Sequence, residues 1–281
     1  MPDFDTIIYE TPEDHIARIW LNRPDARNAQ DTKLLYELND AFDVAMADDK
    51  IKVVILAAKG PHFSAGHDLR EADIPGASQK HKLVGTWRAD NWEGAEAYYC
   101  REKEIYEGFC RRWRDLAKPT IASVQGRAIA GGLMLIWPCD FVIASEDATF
   151  QDNTMSMGIP GVEYFAHAWE LGLRKAKEFL MTGQPLTARE AQDAGMVNRV
   201  VARDALEAET LAFARLIASK PGFALKLAKD ALNAVFHAQG FETVQRIAFN
   251  AHHLAHTHYR LHQNGSYIDT DFMRTFQAKN S

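Results

Sequence analysis

Gly131 and Gly132 stand side by side where an apolar, strand-like run, Thr120 to Gln125, gives way to a short helix-like run. A residue without a Cβ lets the backbone approach a second group closely, and the first turn of a helix leaves N–H groups without partners. Such a junction can hold an anion or a developing oxyanion, helped by the positive end of the helix dipole. It can equally serve only to let a helix pack close to a sheet. Both uses require a strand that runs directly into a helix, which places this part of the chain in an α/β architecture.

The remainder of the chain alternates in the same way. Phe4 to Glu10 and His15 to Leu21 read as a hairpin around Thr11-Pro12-Glu13-Asp14. Asp31 to Met46 carries apolar residues at the i, i+3, i+4, i+7 spacing of an amphipathic helix, and Ile51 to Ala58 follows as a buried strand. Strand, helix and strand in that order form a crossover unit. The strand runs into a second glycine loop, Lys59 to Leu69. Asp73 to Ala97 has no period but holds Trp87 and Trp92, and is expected to be a substrate wall, a lid or a mobile surface segment. Tyr98 to Ala117 is helical by period, with Arg111, Arg112 and Arg114 balanced by Glu102, Glu104, Glu107 and Asp115 as a solvated face. Phe141 to Ala144 and Thr149-Phe150 are further strands, Glu163 to Leu171 reads as a helix with an acidic first turn, and Thr187 to Glu190 is a capping box. Ala205 to Ser219, Gly222 to Phe236 and Phe241 to His262 are three helices with no strand between them. The expected organisation is an α/β core over 1–201 and a helical region over 202–281.

Charge and cysteine content exclude several classes. A formal net charge of -6 argues against a nucleic-acid surface. Cys100, Cys110 and Cys139 are an odd number at unrelated spacings, which fits neither a disulfide framework nor a zinc site and points to a reducing, cytoplasmic setting. The N-terminal Met1-Pro2-Asp3-Phe4-Asp5 lacks a signal-peptide pattern, and the apolar run from Ala128 to Ala144 is interrupted by Pro138 and Asp140, so no membrane span is expected.

Several segments in order carry a family resemblance: Asn22-Arg23-Pro24 with Asn28-Ala29, Phe63 to Leu69, Gly126 through Gly132 to Cys139-Asp140, Gly158-Ile159-Pro160-Gly161, Thr182-Gly183, and Ala191 to Val201. Together the chain resembles the crotonase, or enoyl-CoA hydratase/isomerase, family. The resemblance implies a ClpP/crotonase-like spiral of ββα units with C-terminal helices for trimerisation, as a homotrimer or dimer of trimers. It implies an acyl-CoA thioester as substrate, with no cofactor beyond the coenzyme A it carries. It also implies that the backbone N–H groups of His67 and Gly131 hold the thioester carbonyl, each such donor contributing about 3 kcal/mol in comparable sites. Ala26, Arg27, Ala65, Asp68 and Leu69 match positions along the adenine and pantetheine path, although Asp68 also reads as a residue that pins its loop. Lys229 matches a C-terminal basic position, and Arg27 and Lys229 could equally be ordinary surface charges.

The departures from the family pattern bear on the reaction. Hydratases of the family use two glutamates to add water across the double bond; aligned on the glycines, these fall on Met134 and Thr154. Glu163, expected in a first helical turn, is the best acid or base, or else a dipole-favoured carboxylate there; Asp152 and Tyr164 are weaker choices, and the His67 imidazole is a further one. Enolate chemistry such as isomerisation, decarboxylation, thioester hydrolysis or C–C cleavage is expected in place of hydration, with an acyl-CoA-binding protein of little activity as the alternative. Trp87, Trp92, Tyr98 and Tyr99 hint at a bulky acyl group. His252, His253, His256, His258 and His262 crowd one helix with i, i+4 pairs, but without a nearby acidic or cysteine ligand in that helix no metal site is expected, and an interface or solvent is the expected setting. The tail from Gly265, with Tyr267, Phe272 and Phe276, is expected to pack on a neighbouring subunit.

Overall fold

The side chains of one strand explain the layering. In β3 (Val53–Ala58) every residue is buried: Val54, Leu56 and Ala58 enter one hydrophobic cluster, and Val53, Ile55 and Ala57 enter another on the opposite face. Successive side chains of a strand point to opposite faces, so an unbroken apolar run implies a sheet covered on both sides. The computed structural model describes residues 3–71, 74–90, 93–263, 265–271 and 274–275, without the side chains of 74 and 75. Trp92, Phe272 and Phe276 lie outside the described residues.

β3 belongs to a six-stranded sheet with β1 (Ile7–Glu13), β2 (Ile16–Leu21), β4 (Thr120–Val124), β6 (Phe141–Ser145) and β9 (Arg199–Val201), in the order β1-β2-β3-β4-β6-β9. Only β1 is antiparallel to its neighbour. A second sheet of three short strands contains β5 (Arg127–Ile129), β7 (Thr149–Gln151) and β8 (Leu186–Thr187). Two sheets, parallel pairing within the crossovers and a helical C-terminal region make this the crotonase spiral.

Helix α1 (Thr32–Ala47), capped by the Asp31 side chain on Leu34 N, buries Leu34, Leu35, Leu38, Ala41, Phe42 and Ala45 on the first face of the sheet. After the short α2 (Ile74–Gln79) comes α3 (Gly94–Glu102), which continues through a π-helical turn at Lys103–Gly108 into α4 (Phe109–Arg114). α5 (Gly131–Ile136) ends two residues before Pro138, consistent with the ring's exclusion from helix interiors. Then follow α6 (His167–Thr182), α7 (Ala188–Asp193), α8 (Leu206–Ala218), α9 (Gly222–Ala238) and α10 (Phe241–His262). Leu206, Ala214, Ile217 and Ala218 of α8 cover the second face of the large sheet, so the first C-terminal helix completes the core. Among the described residues no helix is long and apolar enough to cross a membrane.

Three expectations are corrected and a fourth is narrowed. The first hairpin turns at Asp14-His15, because β1 runs on through Pro12 to Glu13 with a shift in register after Glu10; β1 is an edge strand, where a missing N–H is tolerated. Residues 163–166 are not helical, since α6 begins at His167. The helix from 94 to 114 presents only part of its charge to solvent: Arg111 and Arg112 are partly exposed, whereas Arg101, Glu102, Glu104, Glu107 and Arg114 are buried. The segment before it is tied down, with Val84 N and Gly85 N donating to the Glu104 carboxylate at 2.6 Å and 2.9 Å.

Candidate active site

The two glycine loops meet behind β3 and β4. The 63–68 loop is sewn between strands by Ile129 N to Ser64 O (3.0 Å), Gln30 N to Gly66 O (2.8 Å) and Asp68 N to Gln30 O (2.9 Å). Gly66 has φ +89°, and a Cβ there would stand 2.8 Å from Ile129 O, so both its conformation and the crossing require glycine. On the facing loop Ala130 takes φ 45°, ψ -112° and starts α5. The backbone N–H groups of His67 and Gly131 have no acceptor among the described residues.

Gly131 serves a purpose the sequence does not reveal. A Cβ at this position would lie 2.6 Å from His67 Cε1 and 2.7 Å from Nδ1, so the missing side chain makes room for the imidazole. That ring stacks on Tyr106 with centroids 3.9 Å apart, and its Nε2 is 3.1 Å from Glu163 Oε2. Its Nδ1 is buried without a partner. Glu163 is 3 % exposed. Burial works to raise its pKa, but His67 and His252 outweigh that and hold the carboxyl well below the usual carboxylate range. Burial pushes the Tyr106 hydroxyl the other way, well above the ordinary tyrosine value, so it remains neutral.

These groups line a cavity of about 460 Å³, within the usual range for small-molecule sites. Asp68 and Leu69 border it from the loop, and Thr154, Met157 and Ile159 from the turn after β7. Tyr98, Arg101, Glu102 and Tyr106 enter from α3 and the π turn, and His252 and His256 from α10. The π turn lets a helix change phase locally, and here it lies between Glu102 and the α4 residues of the core. Arg101, 6 % exposed, pairs directly with Glu71 at 2.9 Å, and the nearby Glu102 charge also favours its charged form.

The sequence-derived candidates are distributed as follows. His67, Asp68, Leu69, Thr154 and Glu163 line the cavity, whereas Ala26, Arg27, Ala65, Gly131, Met134 and Lys229 are not among its lining residues. Gly131 lies against the His67 ring, and Met134 is packed in the core with its carbonyl 3.2 Å from Cys110 Sγ. Lys229 is buried in a different cavity and pairs with Asp140 at 2.8 Å. Arg27 is exposed just after the short 3₁₀ turn Pro24–Ala26. Asp68 bonds Arg23 at 3.0 Å; burial opposes its ionisation, but hydrogen bonds from Arg70 and Arg23 keep its pKa low. Asp152 is fully buried and accepts from Thr154 Oγ1 (2.5 Å), Thr154 N (3.0 Å) and Val162 N (3.2 Å), with His167 Nε2 at 2.8 Å. Tyr164 is also fully buried, its hydroxyl accepting from Arg114 Nε at 2.5 Å. Glu163, placed four residues before α6, is not in a helical first turn; Glu170 holds that position.

The histidine cluster is also corrected. His252 is 4 % exposed and turns inward to the cavity, with His256 beside it, whereas His258 and His262 are on the surface. Glu102 supplies the acidic neighbour that α10 lacks, and one ligand atom from each of Glu102, His252 and His256 lies within 4.8 Å of the others. No local signal marks Glu102, since its partners come from a helix at the far end of the chain. Tyr267 packs within the same chain, its ring 4.0 Å from that of Tyr98.

A protein of Mycobacterium tuberculosis strain H37Rv named as an enoyl-CoA hydratase, EchA13, is 44 % identical over 266 residues, covering 92 % of this chain and 82 % of its own. An Arthrobacter protein named 4-chlorobenzoyl coenzyme A dehalogenase-2 is 30 % identical over 77 % of this chain and 74 % of its own length. A crystal structure from Mycobacterium smegmatis, described as an enoyl-CoA hydratase, superposes with a TM-score of 0.83 at 46 % identity, over 94 % of this chain and 99 % of that one. The model of the enoyl-CoA hydratase/isomerase family matches residues 11–269. With the two-sheet spiral and the paired glycine loops already in place, this match settles the ancestry: the chain belongs to the enoyl-CoA hydratase/isomerase family.

Proposed function

We propose that the protein binds an acyl-CoA thioester and moves a proton at the carbon next to the thioester carbonyl. The carbonyl oxygen would accept from the His67 and Gly131 N–H groups, which stabilise the enolate oxygen as the C–H bond breaks. The leaving proton passes to His67 Nδ1, while Glu163 accepts the Nε2–H bond and balances the charge of the imidazolium that results. Returning the proton to a different carbon of an enoyl chain isomerises it. The observation that carries this reading is the 3.1 Å contact between His67 Nε2 and the buried Glu163 carboxylate, beside a His67 Nδ1 that no protein group uses.

Two further observations support it over hydration. Met134 is buried in the core, and the Thr154 hydroxyl donates to Asp152, so neither of the two positions expected to hold water carries an acid or base free to do so. The relative named for a 4-chlorobenzoyl coenzyme A substrate favours a thioester ligand. In this reading Leu69, 73 % exposed at the cavity rim, and the exposed Arg27 would meet the pantetheine arm and the nucleotide phosphates. We also propose self-association through α9 and α10, where Leu227, Leu232, Val235, Ile247, Leu254 and Leu261 are more than half exposed.

The test is incubation of the enzyme with saturated and unsaturated acyl-CoA substrates in D₂O, read by mass spectrometry. Deuterium should enter next to the carbonyl, crotonyl-CoA should remain largely unhydrated, and Glu163→Gln should slow exchange by roughly 10²-fold or more. Rapid hydration of crotonyl-CoA, or exchange unaffected by Glu163→Gln, overturns the reading.

A further inference from the structure

Two histidines on α10 face each other in a way that neutral imidazoles do not tolerate. His252 Nδ1 lies 2.8 Å from Gly161 O, and His256 Nδ1 lies 2.7 Å from Tyr267 O. A carbonyl can only accept, so each Nδ1 carries its proton and each neutral ring has a lone pair on Nε2. Those two Nε2 atoms are 2.8 Å apart. Something positive must sit between or beside them, either an extra proton or a metal ion.

The surroundings favour the ion. Glu102, 7 % exposed, has its Oε2 3.7 Å from His252 Nε2, and that oxygen makes no hydrogen bond in the molecule. His253 Nε2 is 3.2 Å from it, an ion pair when that ring is protonated, though poorly aligned for a hydrogen bond. Glu163 Oε1 is 3.5 Å from His252 Nε2. Among the described residues, Glu102 and Glu163 form direct ion pairs with histidines alone; Arg101, which feels the Glu102 charge, pairs directly with Glu71.

We propose that Glu102, His252 and His256 bind one divalent ion of the zinc class. Two histidines at i and i+4 with one carboxylate are a zinc-type donor set that leaves a coordination position open. With bonds of about 2.0–2.2 Å, tetrahedral ligand atoms are separated by about 3.4 Å, a value bracketed by the 2.8 Å and 3.7 Å measured from His252 Nε2. The third separation, from Glu102 to His256, also lies within 4.8 Å, so side-chain adjustment closes the site. The carbonyl bonds to both Nδ1 atoms fix the tautomer and ring orientation, as outer-shell partners of metal-bound histidines do. The open position faces the cavity that holds His67 and Glu163, where water or an oxygen atom of the acyl group could enter it.

Tag-free protein stripped with EDTA is titrated with zinc chloride by calorimetry and with cobalt chloride by visible absorbance. The expected result is uptake of one ion per chain with an intense cobalt d–d band. His252→Ala with His256→Ala should abolish it, and the isosteric Glu102→Gln should weaken it by roughly 10–100-fold; His258→Ala with His262→Ala should leave it unchanged. Circular dichroism confirms that each variant is folded, and the wild-type titration needs no variant. Absence of stoichiometric uptake means that the two imidazoles share a proton, and the proposal fails. Uptake that survives loss of His252 and His256 but disappears with His258 and His262 overturns it as well. No substrate enters the measurement, so either failure leaves the proton-transfer reading intact.

Discussion

Gly131 and His67 are complementary: the Cβ that Gly131 lacks would lie 2.6 Å from Cε1 of the His67 ring. Gly131→Ala must push the imidazole away from Glu163 while leaving both backbone N–H groups in place. The expected outcome is a loss of roughly 10²–10³-fold in kcat/KM with an unchanged far-UV spectrum. Turnover within a few-fold of wild type would remove the ring from the chemistry.

His67 and Glu163 should act as a unit. Glu163→Gln and His67→Ala are each expected to reduce kcat by roughly 10²–10⁴-fold, and the double variant should be no worse than the poorer single one. Steady-state kinetics on all three proteins measures the coupling. Losses that multiply would mean independent roles.

Asp152 ties the turn after β7 to α6 through Thr154, Val162 and His167. Removing one partner of a buried, hydrogen-bonded pair leaves the others unsatisfied, so Asp152→Ala should destabilise the fold by about 3–5 kcal/mol. Urea denaturation gives the value. A change below about 1 kcal/mol would show that water replaces the carboxylate.

Glu170 provides a pH signature. Burial raises its pKa to about 7, with Arg114, 3.3 Å away, opposing the shift. A carboxyl whose pKa is higher in the folded state than in the unfolded state binds more protons when native, so stability should fall as pH rises from the ordinary glutamate value towards 7. Glu170→Gln should flatten that slope, and the difference from wild type should grow by about 1–3 kcal/mol across the window. Parallel melts of both proteins at several pH values test the sign; a difference constant with pH would refute it.

Self-association follows from the apolar side chains left in solvent on α9 and α10. Light scattering on eluting protein at micromolar concentration should give a multiple of the 31.6 kDa chain, and Leu232→Glu with Leu254→Glu should reduce it. A monomeric wild type would rule out the proposed self-association.

The sequence alone determined the parts of this protein that depend on near neighbours. The apolar run of β3, the i, i+3, i+4 stripe of α1 and the reciprocal Thr187–Glu190 cap are relations across two to seven residues, and all three stand in the structure. The glycine loops were legible because few residues permit such a close backbone crossing. The site needed the tertiary structure. His67 meets Glu163 across 96 residues, and Glu102 meets His252 only when α10 folds back on α3. The charges of α3 and α4 read as a solvated face because helical spacing gives the stripe but not the side on which it is covered. Burial, and with it the partner each charge must find, is decided by what packs on a helix from elsewhere in the chain, and local periodicity carries no record of that.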